Sequence, residues 1–115
     1  MAYQIYHNTR CKKSRGGLKY LEDKGIKPEI IEYLKDQPFT EESLTELLRK
    51  LNMKPREIIR TQEKEYKENY KGKNLTDEEW IKILVENPKL IRRPVIVKEN
   101  KAVIGDPVEN IDPIL

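Results

Sequence analysis

Tyr3-Gln4-Ile5-Tyr6-His7-Asn8-Thr9-Arg10-Cys11-Lys12-Lys13-Ser14-Arg15 sets a short β-rich run against a polar loop that carries the only cysteine of 115 residues. Tyr3 to Tyr6 reads as a strand. Leu18 and Leu21 then recur at i, i+3, and Gly25 stands where a helix stops, so a helix follows the loop. Cys11 therefore lies at or just before a helix N-terminus, where unpaired N–H groups and the positive end of the helix dipole favour an anion. Arg10, Lys12, Lys13 and Arg15 add positive charge around the sulfur. These surroundings predict a thiol largely ionised at neutral pH, and so a nucleophile rather than a structural cysteine. His7 reads two ways, as a partner of the loop or thiol and as a capping or surface histidine.

Working outward, Pro28 to Leu34 reads as a second strand, and a β-α-β opening makes a parallel pair with a right-handed crossover. Cys11 then sits at the C-terminal end of the first strand, where open α/β sheets place their ligand sites. Thr40 can cap a helix with Glu41 and Glu42 in its first turn and Leu44, Leu47, Leu48 and Leu51 along one face. Pro55 starts a short helical turn through Ile58 and Ile59, which delivers Arg60 just beyond it. Residues 61 to 73, rich in Lys and Glu with Tyr66 and Tyr70 at i, i+4, read as a mostly solvated helix or ordered loop. Thr76-Asp77-Glu78-Glu79 is a capping box for a helix carrying Trp80, Ile81, Leu84 and Val85, which Asn87-Pro88 ends. Val95-Ile96-Val97, a turn at Lys98-Glu99-Asn100, and Lys101 to Ile104 form a hairpin. A last helix follows, with Asp106 as N-cap, Pro107 at its first position, and Val108 and Ile111 on its apolar side. The expected architecture is α/β: one domain over residues 1–115, a mixed sheet whose β-α-β and β-β-α halves are separated by a helical insertion at about residues 38–88.

Composition bounds the function. The net charge is +3, with 23 basic residues interleaved among 20 acidic ones, which fits a focused anion site better than a nucleic-acid surface. One His and one Cys are too few for a Cys/His metal cluster, and no Gly-rich phosphate loop appears. With no apolar run of membrane-spanning length and no cleavable signal pattern, the expected compartment is the cytoplasm, whose reducing conditions preserve a thiol.

The chain resembles the arsenate reductases of the ArsC type nearly end to end. The pieces that carry the resemblance are Tyr6-His7-Asn8-Thr9-Arg10-Cys11-Lys12-Lys13-Ser14-Arg15, Ile58-Ile59-Arg60, and Asn87-Pro88-Lys89-Leu90-Ile91-Arg92-Arg93-Pro94-Val95-Ile96-Val97. The resemblance implies a thioredoxin-like fold: a mixed four-stranded sheet with helices on both faces and a helical insertion. It implies that Cys11 is the nucleophile that attacks a small oxyanion such as arsenate, that Arg60 and Arg93 bind that oxyanion, and that Pro94 is a cis-proline beside the cysteine. His7, Asn8, Ser14 and Arg15 then support the site, and Arg92 stays solvated. The implied reductants are glutathione as co-substrate and glutaredoxin, with no bound cofactor or metal. Arginine's planar fork suits a tetrahedral oxyanion whose charge must be offset as a thiolate attacks.

Where the family's pattern carries a third arginine after the last strand, this chain has Gly105-Asp106. Two other readings use the same fold: a monothiol, glutaredoxin-like activity on glutathione mixed disulfides, and a non-enzymatic Spx-like regulator that binds RNA polymerase. The Cys-x-x-Cys switch of Spx cannot form here, because Ser14 stands three residues after Cys11. With no second thiol in the chain, any intermediate on Cys11 must be resolved by an external thiol.

Overall fold

Four strands form one mixed sheet in the computed structural model of the protein, which describes residues 3–35 and 38–115. They are β1 (Tyr3–Tyr6), β2 (Glu29–Ile31), β3 (Val95–Lys98) and β4 (Lys101–Ile104), in the order β2-β1-β3-β4. β1 runs parallel to β2 and antiparallel to β3, and β4 pairs antiparallel with β3. The register puts Ile30, Ile5, Ile96 and Val103 in one row across the sheet. Because side chains alternate along a strand, that row shares a face. No helix among the described residues is long and apolar enough to cross a membrane.

The chain divides into two compact units, Met1–Pro38 with Arg93–Leu115, and Phe39–Arg92. In the first, α1 (Lys12–Asp23) and a terminal 3-10 segment (Val108–Ile114) bury Leu21, Ile111 and Ile114 against Ile5 and Ile96. Burying each such side chain contributes about 1.5–3 kcal/mol. Gly25, at φ +79, ends α1 with its N–H on the Glu22 carbonyl, while Ile26 N–H reaches the Leu21 carbonyl. This paired closure needs the left-handed conformation that glycine supplies.

Three local expectations are corrected here. β2 covers residues 29–31 rather than 28–34, because the chain turns at Glu32, whose carbonyl takes the Lys35 N–H, and the Tyr33 ring is buried against Tyr6. The hairpin turn is Glu99-Asn100, with Lys98 still paired to Lys101 and its ammonium over the Tyr3 ring. The terminal segment is a 3-10 helix, to which Pro107 is the cap, after a cis Asp106-Pro107 bond. Pro113 lacks the N–H that an α-helix would use there, and the three-residue repeat aligns Ile111 with Ile114 toward the core.

The second unit is helical. In α2 (Glu41–Leu51), Thr40 and Ser43 exchange cap hydrogen bonds, and the leucine stripe Leu44, Leu47, Leu48 and Leu51 is buried. In α4 (Asp77–Glu86), Thr76 and Glu79 form the reciprocal box, with Trp80 and Leu84 inside. Between them, α3 (Lys64–Asn69) is less solvated than its charge suggests, since Tyr66 and Tyr70 pack on the Trp80 ring with centroids 6.4 and 6.0 Å away. A short bridge pairs Ile59 with Ile91, flanked by Arg60 N–H to the Leu90 carbonyl and Arg92 N–H to the Ile58 carbonyl.

Candidate active site

The loop between β1 and α1 is fixed almost entirely by its own polar atoms. His7 N–H donates to the Ile31 carbonyl at 2.9 Å, extending the β1-β2 pairing to the loop's first residue. Ser14, fully buried, accepts the Asn8 N–H at 2.9 Å and lies 2.6 Å from His7 Nδ1. Nδ1 is the only acceptor in reach of its hydroxyl proton among the described residues, so Ser14 donates to Nδ1 and a neutral His7 carries its proton on Nε2. His7 is itself buried, contrary to a surface or capping role. Burial pushes its pKa down; Glu32 opposes that and Arg15 reinforces it. Asn8 accepts the Arg10 N–H on its side chain and the Cys11 N–H on its carbonyl, and Arg15 Nη1 donates to the Thr9 carbonyl at 3.1 Å.

Cys11 is the N-cap of α1, in extended conformation, and is partly accessible. Burial pushes its thiol up, but the Arg93 guanidinium and the N–H groups of Ser14 and Lys13 act on the sulfur and bring the net pKa below the ordinary value. Arg93 is held from two sides. Burial would lower its pKa, but Cys11 and Tyr33 act on the guanidinium and raise it, so Arg93 stays cationic. Tyr33 escapes sequence reasoning because alternation assigned it to a strand, whereas the turn after β2 turns it to the guanidinium.

The Arg93-Pro94 bond is cis and Pro94 is buried. It is clasped by two glycines: a Cβ on Gly17 would stand 2.5 Å from Pro94 Cγ, and one on Gly105 would stand 2.6 Å from Ile96 Cδ1 and 3.2 Å from Pro94 Cγ. Gly105 N–H donates to the Pro94 carbonyl at 2.8 Å. Gly105 thus has no room for a side chain, and the next residue, Asp106, carries the one this loop presents. Its carboxylate does not cap the terminal segment, as the sequence suggested; it meets the Lys13 ammonium at 2.9 Å.

The first unit therefore brings together His7, Asn8, Cys11, Ser14, Arg15, Arg93 and Pro94. Arg60 belongs to the Phe39–Arg92 unit, where its guanidinium pairs with Glu63 at 2.7 Å and is largely buried. Arg92, expected to be solvated, reaches the Glu57 carbonyl at 3.4 Å.

A thiolate at a helix start, with one arginine on the sulfur, can attack an electrophile and hold an anion beside it. The model of the ArsC family matches residues 6–114. The chain is 43% identical over 110 residues to the uncharacterized protein YfgD of Escherichia coli, covering 94% of this chain and 92% of that one. It is 38% identical over 117 residues to an arsenate reductase of Haemophilus influenzae, covering all of both chains. The solved structure of an arsenate reductase from Vibrio cholerae superposes with a TM-score of 0.93 at 38% identity, over 100% of this chain and 98% of that one.

Proposed function

The chain belongs to the ArsC family and has its thioredoxin-like fold, and on that premise we propose that it is a thiol-dependent reductase of the arsenate reductase kind, with Cys11 as nucleophile. The observation that supports this most is the set of groups that favour the Cys11 thiolate, the Arg93 guanidinium and the N–H groups of Lys13 and Ser14 at the start of α1. The Cys11 thiolate attacks the arsenic of arsenate, and one arsenate oxygen leaves as water once protonated. Glutathione then supplies the second thiol. Its sulfur bonds to that of Cys11, the two electrons pass to arsenic, and arsenite departs. Glutaredoxin cleaves the resulting mixed disulfide. Arg93 offsets the charge that builds on the oxyanion, and Arg60 is the second binding arginine.

The test is arsenate-dependent NADPH oxidation coupled through glutathione, glutaredoxin and glutathione reductase, in a cytoplasm-like buffer. Wild-type protein should turn over and Cys11→Ser should not. Arg93→Ala and Arg60→Ala should each lower kcat/KM by about 10- to 150-fold, the effect of losing one charge-assisted contact of about 1.5–3 kcal/mol. A wild-type rate equal to that of Cys11→Ser refutes the reading. A second reading, reduction of glutathione mixed disulfides by the same thiol, is favoured by Asp106, a carboxylate where the family's pattern carries a cation. The same coupled system with a mixed-disulfide substrate measures it.

A further inference from the structure

A ring of contacts closes around the Cys11 sulfur. Arg93 acts on the sulfur, and the next residue, Pro94, accepts the Gly105 N–H through its carbonyl. Asp106 follows Gly105 and holds the Lys13 ammonium at 2.9 Å, while the Lys13 backbone N–H returns to the sulfur. Asp106 is thus carried to the rim of the site by its own backbone. Gly105 fixes it there, since neither Ile96 nor Pro94 leaves space for a side chain on the preceding residue. Lys13 and Asp106 are both partly solvated, so the pair is free to respond to what approaches the thiol.

We propose that Asp106 is a specificity-determining residue: by engaging the Lys13 ammonium it offsets one of the cations on the rim beside Cys11, so the thiolate favours anionic over neutral electrophiles less than the loop's cations alone would make it. The inference rests on Cys11 being the attacking nucleophile. An ammonium paired to a carboxylate presents no net charge to an incoming oxyanion, and the same carboxylate repels a dianion at close range. Removing the carboxylate charge releases Lys13 to serve as the anion contact that Gly105-Asp106 otherwise withholds.

Alkylation of Cys11 by anionic iodoacetate and by neutral iodoacetamide, compared as a rate ratio at one pH, reads this field directly and needs no arsenate turnover. Asp106→Asn should raise the iodoacetate-to-iodoacetamide ratio roughly two- to fivefold, the range an exposed ion pair is worth. Adding Lys13→Met to Asp106→Asn should return the ratio to the wild-type value. Lys13→Met alone, which leaves Asp106 unopposed, should lower it, and this arm decides the question if Asp106→Asn does not fold. A ratio unmoved by Asp106→Asn, or one that stays raised in the double variant, overturns the proposal. Arsenate turnover is scored separately: its absence from every variant counts against the proposed function while the alkylation ratio still decides the role of Asp106.

Discussion

Cys11 gives up its proton readily because Arg93 and two helix N–H groups favour its anion over the thiol that burial alone would favour; His7 gives up its proton because burial favours the neutral ring. For Cys11, the ultraviolet absorbance of the thiolate followed against pH should show a midpoint below the ordinary value of about 8.5. Arg93→Ala should move that midpoint upward, and identical midpoints in the two proteins would show that Arg93 does not act on the sulfur. For His7 the sign follows from linkage. Its folded pKa is lowered from 6.5, so the unfolded chain binds the proton first, and stability is complete above that value and falls as pH drops through the folded one. His7→Asn keeps an acceptor for the Ser14 hydroxyl and cannot titrate. Urea midpoints compared at pH 8 and pH 5 should therefore fall less for His7→Asn than for wild type; an equal fall assigns the acid sensitivity elsewhere. Much of this neighbourhood was legible in the sequence: a lone cysteine among cations between strand and helix announces itself, and Arg93 stands beside a recognisable proline. The His7-Ser14 bond was not, because a contact across a loop at i, i+7 leaves no periodic trace.

In the elements, apolar spacing and caps locate α2 and α4, since Thr40 and Thr76 mark their starts by the reciprocal bonds they can make, and Leu18, Leu21 and Gly25 locate α1, whereas the Lys- and Glu-rich stretch of α3 reads equally as helix or loop. What escaped is where backbone meets backbone or side chains act alone. Neither the turn that ends β2 nor the loss of the Asp106 cap has a compositional signature; the second depends on Lys13, far away in sequence, competing for the carboxylate. The adjacent glycines of α1 make the same point as a prediction. Gly16 has nothing within 4 Å of an added Cβ, whereas one on Gly17 would stand 2.5 Å from Pro94 Cγ. Gly16→Ala should stabilise the protein by roughly 0.5–1 kcal/mol through backbone entropy. Gly17→Ala should destabilise it by about 1–3 kcal/mol, as overpacking does, and disturb the Arg93-Pro94 segment. Denaturation midpoints of the two variants check both signs, and two variants shifting in the same direction would contradict the contact.

For the whole chain, the order of elements makes one unit depend on the other through connectivity alone. The sheet-bearing unit is discontinuous, with β1 pairing to β3 across the entire Phe39–Arg92 segment, while that helical segment is continuous and closes no long loop through the sheet. If Phe39–Arg92 unfolded by itself, the β1-β3 pairing would have to hold shut a free loop of roughly fifty residues, at an entropic cost of about 3 kcal/mol. Unfolding the sheet imposes no such charge on the helical segment. Each unit carries its own reporter: Trp80, the only tryptophan, lies in the helical unit, and Cys11, the only thiol, in the other. In a urea titration at constant pH, the Cys11 thiolate absorbance, which the folded site sustains, should therefore fall at or below the denaturant concentration at which Trp80 fluorescence changes. A thiolate signal that persists after the Trp80 transition is complete would mean that the packing of the sheet unit outweighs the loop, and the dependence argued from connectivity would be wrong.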